Sequence, residues 1–211
     1  MSSIKLTADS GGGTTSLKAP ASTTGNANVE LKLPIADGSS GQVLQTDGSG
    51  NLSWVTLPSA GITMMDQWRI ANDNTKNHGD VIDYNWERSD TFFSQMGTGM
   101  TESSGVFTFP QTGIYFILAQ ASTNGANHSY GGYKMEISTD SGGNYATLAY
   151  SYGNHLAGSS YENTMVQAIC DVTDAGTTRF RMKTVIAATL QFSGDSGSFR
   201  TGVTFIRLGD T

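Results

Sequence analysis

The sequence is short of the residues that cross-link, charge or rigidify a chain. One of its 211 residues is cysteine, Cys170, so no intramolecular disulfide framework can form and stability has to come from burial or from association. Charged residues make up only 14%, which leaves little polar surface for long amphipathic helices. Lys and Arg number 12 against 18 Asp and Glu, a formal net charge of -6 that excludes nucleic acid and anionic membrane as the main partners. No stretch approaches the ~20 consecutive apolar residues that a membrane-spanning helix requires. The opening MSSIKLTADSGGG has no apolar core of the kind that marks a secretory signal, and we expect a soluble product of a reducing cytoplasm.

What the chain has in quantity is glycine, 26 residues, with abundant Ser, Thr and Asn. This is the mixture that joins short strands in turn-dense β proteins. Residues 1–60 are set apart: they hold no aromatic residue before Trp54, and their apolar residues come in brief isolated clusters. Such a segment cannot close a core alone and is expected to be an anchoring arm, ordered by pairing or by wrapping a partner. Four strands are expected in it, Leu17 to Pro20, Val29 to Pro34, Gln42 to Thr46 and Leu52 to Leu57. The last two flank Asp47-Gly48-Ser49-Gly50-Asn51, whose residues tolerate positive φ, and VLQTDGSGNLSWV reads as a hairpin. The candidate anchor residues are Leu31, Leu33, Val43, Leu44, Leu52 and Trp54.

Pro58-Ser59-Ala60-Gly61 marks a boundary. Residues 61–211 then read as strands at near-regular spacing: Ile62 to Ile70, Val81 to Trp86, Phe92 to Met96, Val106 to Phe109, Ile114 to Ser122, Tyr133 to Thr139, Ala146 to Tyr152, Thr164 to Val172, Thr178 to Val185, Thr189 to Phe192 and Arg200 to Leu208. That series implies an antiparallel sandwich or barrel. Most strands have one wet face, as where Tyr133, Met135 and Ile137 alternate with Lys134, Glu136 and Ser138. The strand from Ile114 does not. Ile114, Phe116 and Leu118 share one face, Tyr115, Ile117, Ala119 and Ala121 the other, and neither suits water. The last strand repeats the pattern, with Val203 and Phe205 opposed to Ile206 and Leu208. A two-layer sandwich covers one face of each sheet, so a strand apolar on both needs a second cover. An identical neighbour is the simplest cover; the arm or long loops of the same chain are the other.

Several motifs suggest chemistry and read better as structure. Gly194-Asp195-Ser196-Gly197 matches the string around a serine-protease nucleophile, but no histidine companion precedes it and it fits a turn. His78, His128 and His155 stand singly in loops without a second ligand at zinc spacing. The oxygen-rich run Asn72 to Asp80 misses the spacing of a calcium loop and contains Lys76 and His78. Cys170 is in phase with Val166, Ala168 and Val172, as a buried apolar residue is. Tyr130, Tyr150, Tyr152 and Tyr161 are loop or edge aromatics, suited to strand-edge packing or to sugar. No catalytic residue, cofactor or metal ligand is expected.

The run GMTESSGVFTFPQTGIYFILA, residues 99–119, resembles the signature of the tumour-necrosis-factor-like jelly roll, in particular its complement globular-head branch, through Gly105, Phe107, Pro110, Gly113 and Tyr115. FRTGVTFIRLGD is similar to that family's closing strand. Ile117 stands where the family has Phe, and Ala119 where it has an aromatic. The resemblance implies an all-β, antiparallel jelly-roll head over 61–211 that associates as a homotrimer through its inner sheet. Tyr115, Ile117, Ala119, Phe205, Ile206 and Leu208 are then the candidate contacts. ELKLP followed by GQVLQTDGSGNLSW looks like the opening module of structural proteins of marine tailed phages. It implies a non-enzymatic virion protein, a decoration or cement trimer on the capsid surface whose arm binds the major capsid protein or another virion protein. The alternative is a short tail fibre or receptor-binding tip, its loops at 124–132 and 153–163 contacting a host glycan.

Overall fold

The computed structural model describes residues 3–7, 11–18, 20–57, 61–93, 95–125, 128–155 and 160–211. Pro58 to Ala60 of the expected boundary, and residues 126–127 and 156–159 of the two expected loops, lie outside the described residues. The chain divides into two compact units, Met1–Ser59 and Ala60–Thr211.

The first unit contains two small antiparallel pairs. β1 (Ser3–Thr7) pairs with β2 (Thr14–Lys18), and β3 (Gln42–Thr46) with β4 (Leu52–Thr56). The β3–β4 turn is held by Asp47, whose carboxylate accepts the Ser49 and Asn51 N–H groups at 2.8 and 3.1 Å and the Asn51 side-chain amide at 2.6 Å. These bonds lower the Asp47 pKa, the Asn51 side chain contributing most. Val29 to Pro34 forms no strand among the described residues beyond one bridge, Lys32 to Asn51. Its outward Leu residues have no opposing strand to pack on.

The second unit is a two-sheet antiparallel sandwich. Its strands are β5 (Met64–Ile70), β6 (Asn74–Lys76), β7 (Trp86–Arg88), β8 (Thr101–Ser103), β9 (Val106–Thr108), β10 (Gly113–Gly125), β11 (His128–Ser138), β12 (Ala146–His155), β13 (Ser160–Val172), β14 (Arg179–Thr184), β15 (Leu190–Phe192) and β16 (Gly202–Gly209). In the first sheet β10 lies along β13 on one side and along β16 and then β15 on the other; β5 and β7 continue beyond β16, and β6 beyond β15. The second sheet runs β12, β11, β14, β9, β8. This is the antiparallel sandwich that the strand series implies, in keeping with the jelly roll that the resemblance implies.

Turn chemistry explains the β8–β9 hairpin. Ser104 and Gly105 have φ of 52 and 77°, the paired positive values of a two-residue turn whose twist matches the strands. A Cβ on Gly105 would lie 2.6 Å from the Ile82 carbonyl oxygen, so only glycine closes this corner. The core behind it is aromatic: Phe107 meets Trp68, Trp86, Phe180 and Phe205 with ring centroids 5.1–6.0 Å apart. At ~25 cal/mol per Å² of apolar surface, burying such side chains supplies the stability that a disulfide-free chain needs.

Two expected strands are not seen among the described residues. Val81 makes a single bridge to Lys183, Met96 a single bridge to Met65, and Phe92 is fully exposed. Two strands too polar to be read from apolar alternation, β6 and β8, are present instead.

A candidate self-association surface

β10 carries apolar residues on both faces, and its registers fix where each face points. Tyr115, Ile117, Ala119 and Ala121 face the space between the sheets and are buried with Phe205 and Val203. Large and small residues complement one another there. The Tyr133 hydroxyl from β11 reaches across to donate to the Ala119 carbonyl at 2.6 Å, room that an aromatic at 119 would remove. Tyr115 donates to the Gln111 carbonyl at 2.8 Å and so pins the start of the strand. Burial, the largest influence on both phenols, raises their pKa, and they stay neutral donors.

Four of the candidate contact residues, Tyr115, Ile117, Ala119 and Phe205, are therefore consumed by the core of a single chain and cannot touch a second copy. Each has zero exposure. Ile206 and Leu208 lie outside that core. The opposite face of the strand carries Ile114, Phe116 and Leu118, which are not among the candidate contacts. Ile114, Phe116, Leu118 and Gln120 stand opposite Asp171, Ile169, Gln167 and Met165 of β13. On the other side Phe116 faces Ile206 and Leu118 faces Thr204, and these meet Met65 and Gln67 of β5.

The outward face is thus an apolar field across β5, β16, β10 and β13. Ile169 is 64% exposed, Met165 61% and Leu208 50%. Of its polar members, Gln67, Thr204 and Gln120 are engaged within the chain, while Gln167 and Asp171 are exposed. Gln67 donates to the Thr204 hydroxyl at 2.9 Å, and Gln120 donates to the Phe199 and Arg200 carbonyls at 2.9 and 3.1 Å. At the end of the field Arg69 is buried against Glu87 and Asp90, 2.8 and 2.7 Å away. An apolar centre with charge kept to the margin is the composition of a protein–protein interface core.

The remaining candidates separate by unit. Leu31, Leu33, Val43, Leu44 and Trp54 of the arm are exposed, Leu33 by 74%, while Leu52 is half-buried. Trp54 leans over Gly38 and donates to the Ala36 carbonyl at 3.0 Å, closing one end of a shallow cleft lined by Leu33, Pro34, Ile35 and Leu52. Ile35 is wholly exposed beside it.

The motifs that suggested chemistry are engaged in structure. Asp195 accepts the Gly197 N–H at 2.6 Å and pairs with Arg200 at 2.8 Å, so it orients a turn and no imidazole. His78 places Nδ1 2.9 Å from the Ile186 carbonyl. In the oxygen-rich run, Asp73 caps Gly194 N–H, Asp80 caps Asn77 N–H, and Lys76 pairs with Asp83. Among the described residues no three His, Cys, Asp or Glu side chains cluster as metal ligands would. Cys170 is buried against β10, and burial, with Asp171 adding to it, pushes its thiol up to about 11.

No protein-family model matches the chain, and no curated protein matches it in sequence. Solved structures do. The structure of Eiger TNF from S. frugiperda superposes with a TM-score of 0.60 at 10% identity, covering 72% of this chain and 96% of that one. The crystal structure of murine APRIL at pH 5.0 gives 0.50 at 15% identity, covering 69% and 98%. At such identities the likeness is one of fold, and the head of this chain is a TNF-like jelly roll.

Proposed function

We propose that the chain is a non-enzymatic structural protein of a tailed-phage particle, in which three heads associate through the outward face of the first sheet and the arms attach the trimer to the capsid surface. The observation that carries the reading is the apolar field around Phe116 and Ile169. A soluble single chain with such a face uncovered would expose contiguous apolar surface, and standard interfaces bury ~800 Å² per partner at comparable composition. The trimer that the sequence resemblance implies covers it with the same residues from sister copies. Capsid attachment rests on the arm: its likeness to phage modules, and apolar side chains at Leu31, Leu33 and Ile35 that are largely exposed and suited to strand addition or to seating on a partner. The major capsid protein, or another shell protein, is the partner it fits.

Sedimentation velocity on the full chain should give a trimer at micromolar concentration. Particles assembled with a chain lacking residues 1–60 should release the head as a free trimer. A monomeric full chain, or truncated heads retained on particles at full occupancy, would defeat the reading.

A further inference from the structure

The outer face of the second sheet carries a cleft that neither the core nor the proposed trimer uses. Two adjacent cross-strand rows build it. In one, Tyr152 of β12, Gly132 of β11 and Val185 just beyond β14 lie side by side; in the other, Tyr150, Lys134 and Lys183 do. Gly132 is what shapes the first row. A Cβ there would lie 2.5 Å from the Tyr152 Cα, so the tyrosine settles onto bare backbone. Tyr130 closes the end, its ring edge-on to Tyr152 with centroids 6.2 Å apart. The result is a cleft of about 410 Å³ lined by Tyr130, Tyr150, Tyr152 and Val185. It runs into a second of about 200 Å³ bounded by His78, Lys134, Lys183 and the same Tyr150 and Val185.

Three features distinguish this cleft from ordinary edge packing. The rings of Tyr130, Tyr150 and Tyr152 are 38, 55 and 59% exposed, and their hydroxyls have no hydrogen-bond partner among the described residues. An aromatic cluster that served only folding would be buried and satisfied. The charge is also local and against the sign of the chain. In the two rows Lys134–Lys183 and Glu136–Arg181, three positive charges stand against one acid, Glu136, leaving +2 locally on a protein of net -6. Lys134 and Arg181 share Glu136 at 2.5 and 2.7 Å, while Lys183 has no acidic partner among the described residues. Finally, the aromatic and cationic halves meet at Tyr150, whose ring centroid lies 6.0 Å from the Lys134 Nζ.

We propose that this cleft binds an anionic oligosaccharide. Pyranose rings lay their C–H faces on Tyr150 and Tyr152, the free tyrosine hydroxyls and the Lys134 ammonium take sugar hydroxyls, and Lys183 meets the carboxylate or sulfate of the next residue. The rings are too few, and the chain too acidic, for a nucleic-acid strand to be the better ligand. The site is independent of what the arm attaches to, and it lies on the sheet opposite the proposed trimer face, so it stays open in the assembly.

The test is titration of the full chain, followed by NMR shift mapping and calorimetry, with four probes: an oligogalacturonate, its neutral methyl ester, a sulfated galactan oligosaccharide that carries no carboxylate and a single-stranded DNA oligomer. The acidic sugars should bind, with shifts centred on Tyr150, Tyr152 and Lys183, and the methyl ester should bind about tenfold more weakly. A preference between carboxylate and sulfate identifies the source of the anion. Tyr152→Ala should reduce affinity for both acidic sugars and the ester by about tenfold, whereas Lys183→Gln should weaken only the acidic sugars. Shift mapping on the unsubstituted chain keeps the test valid if a variant fails to fold. No saturable binding of either acidic sugar, shifts centred elsewhere, or DNA binding more tightly than both sugars at this site would overturn the proposal.

Discussion

Ile169→Asp is the substitution that separates folding from assembly. Ile169 is 64% exposed in a single chain, and its β10 neighbour Phe116 is on the same outward face, so the isolated head loses little by the change. Exposed substitutions of this kind stay within about 0.5 kcal/mol. In the assembly the outcome is different. Full burial of an isoleucine is worth ~1.5–3 kcal/mol, so covering the exposed 64% contributes about 1–2 kcal/mol per copy, or ~3–6 for three copies. A carboxylate forced into the same place adds a desolvation cost of several kcal/mol per copy, since Arg69 at the end of the field is already held by Glu87 and Asp90. The sum is a loss of at least ~10³ in the assembly constant. Sedimentation velocity should show wild-type chains as trimers and the variant as monomers, with matching circular dichroism and melting of the monomeric unit. Ile169→Leu should remain trimeric. If the Asp variant sediments with the wild type, the outward face of β10 and β13 is not the interface.

Three further outcomes follow from the described contacts. Asp66 is fully buried; it holds Arg88 at 2.8 Å and accepts the Trp68 indole N–H and the Met100 N–H at 2.9 and 2.7 Å, so Asp66→Ala should cost ~2–4 kcal/mol in urea unfolding by leaving two donors without an acceptor. A loss below ~1 kcal/mol would mean that water replaces the carboxylate. Asp140 is lowered from 3.8 to about 2, chiefly by the Ser138 hydroxyl and then by Asn144. Between those values the unfolded chain holds more protons, so acid favours unfolding: the contribution is present above pH 3.8 and is lost as the pH falls toward about 2. Asp140→Asn should flatten the melting-temperature curve over that window, and an unchanged slope would contradict the assignment. With its thiol held protonated and covered, Cys170 should resist maleimide at pH 8 in the native protein and react on denaturation; rapid native labelling would show that β13 opens from β10.

The sandwich was legible because its strands alternate cleanly, as Tyr133, Met135 and Ile137 do against Lys134, Glu136 and Ser138. The orientation of β10 was not. Alternation says that both faces of Ile114 to Ala121 avoid water, but it cannot say which faces the other sheet. That depends on Tyr133 lying over Ala119, a contact between residues on different strands. The motif residue Tyr115 drew attention to its own face, and the structure uses that face for the core. Phe92 to Met96 is apolar enough to read as a strand, yet Met96 makes one bridge to Met65 and Phe92 stays in solvent. Asn74–Lys76 is polar enough to read as a loop, yet Leu190–Phe192 pairs with it. Strand identity at a sheet edge is conferred by the neighbour. The Tyr150 cleft was half legible: its aromatics were visible in the sequence, its lysines only once β11, β12 and β14 lay in register.

The pairing of β5 with β16 joins Met64–Ile70 to Gly202–Gly209, nearly the whole length of the head apart. During synthesis the ribosome must therefore release almost the entire head before β16 can take its place between β5 and β10. Until then the outward face of β10 lacks its β16 border, and Phe116 and Leu118 have no Ile206 and Thr204 beside them.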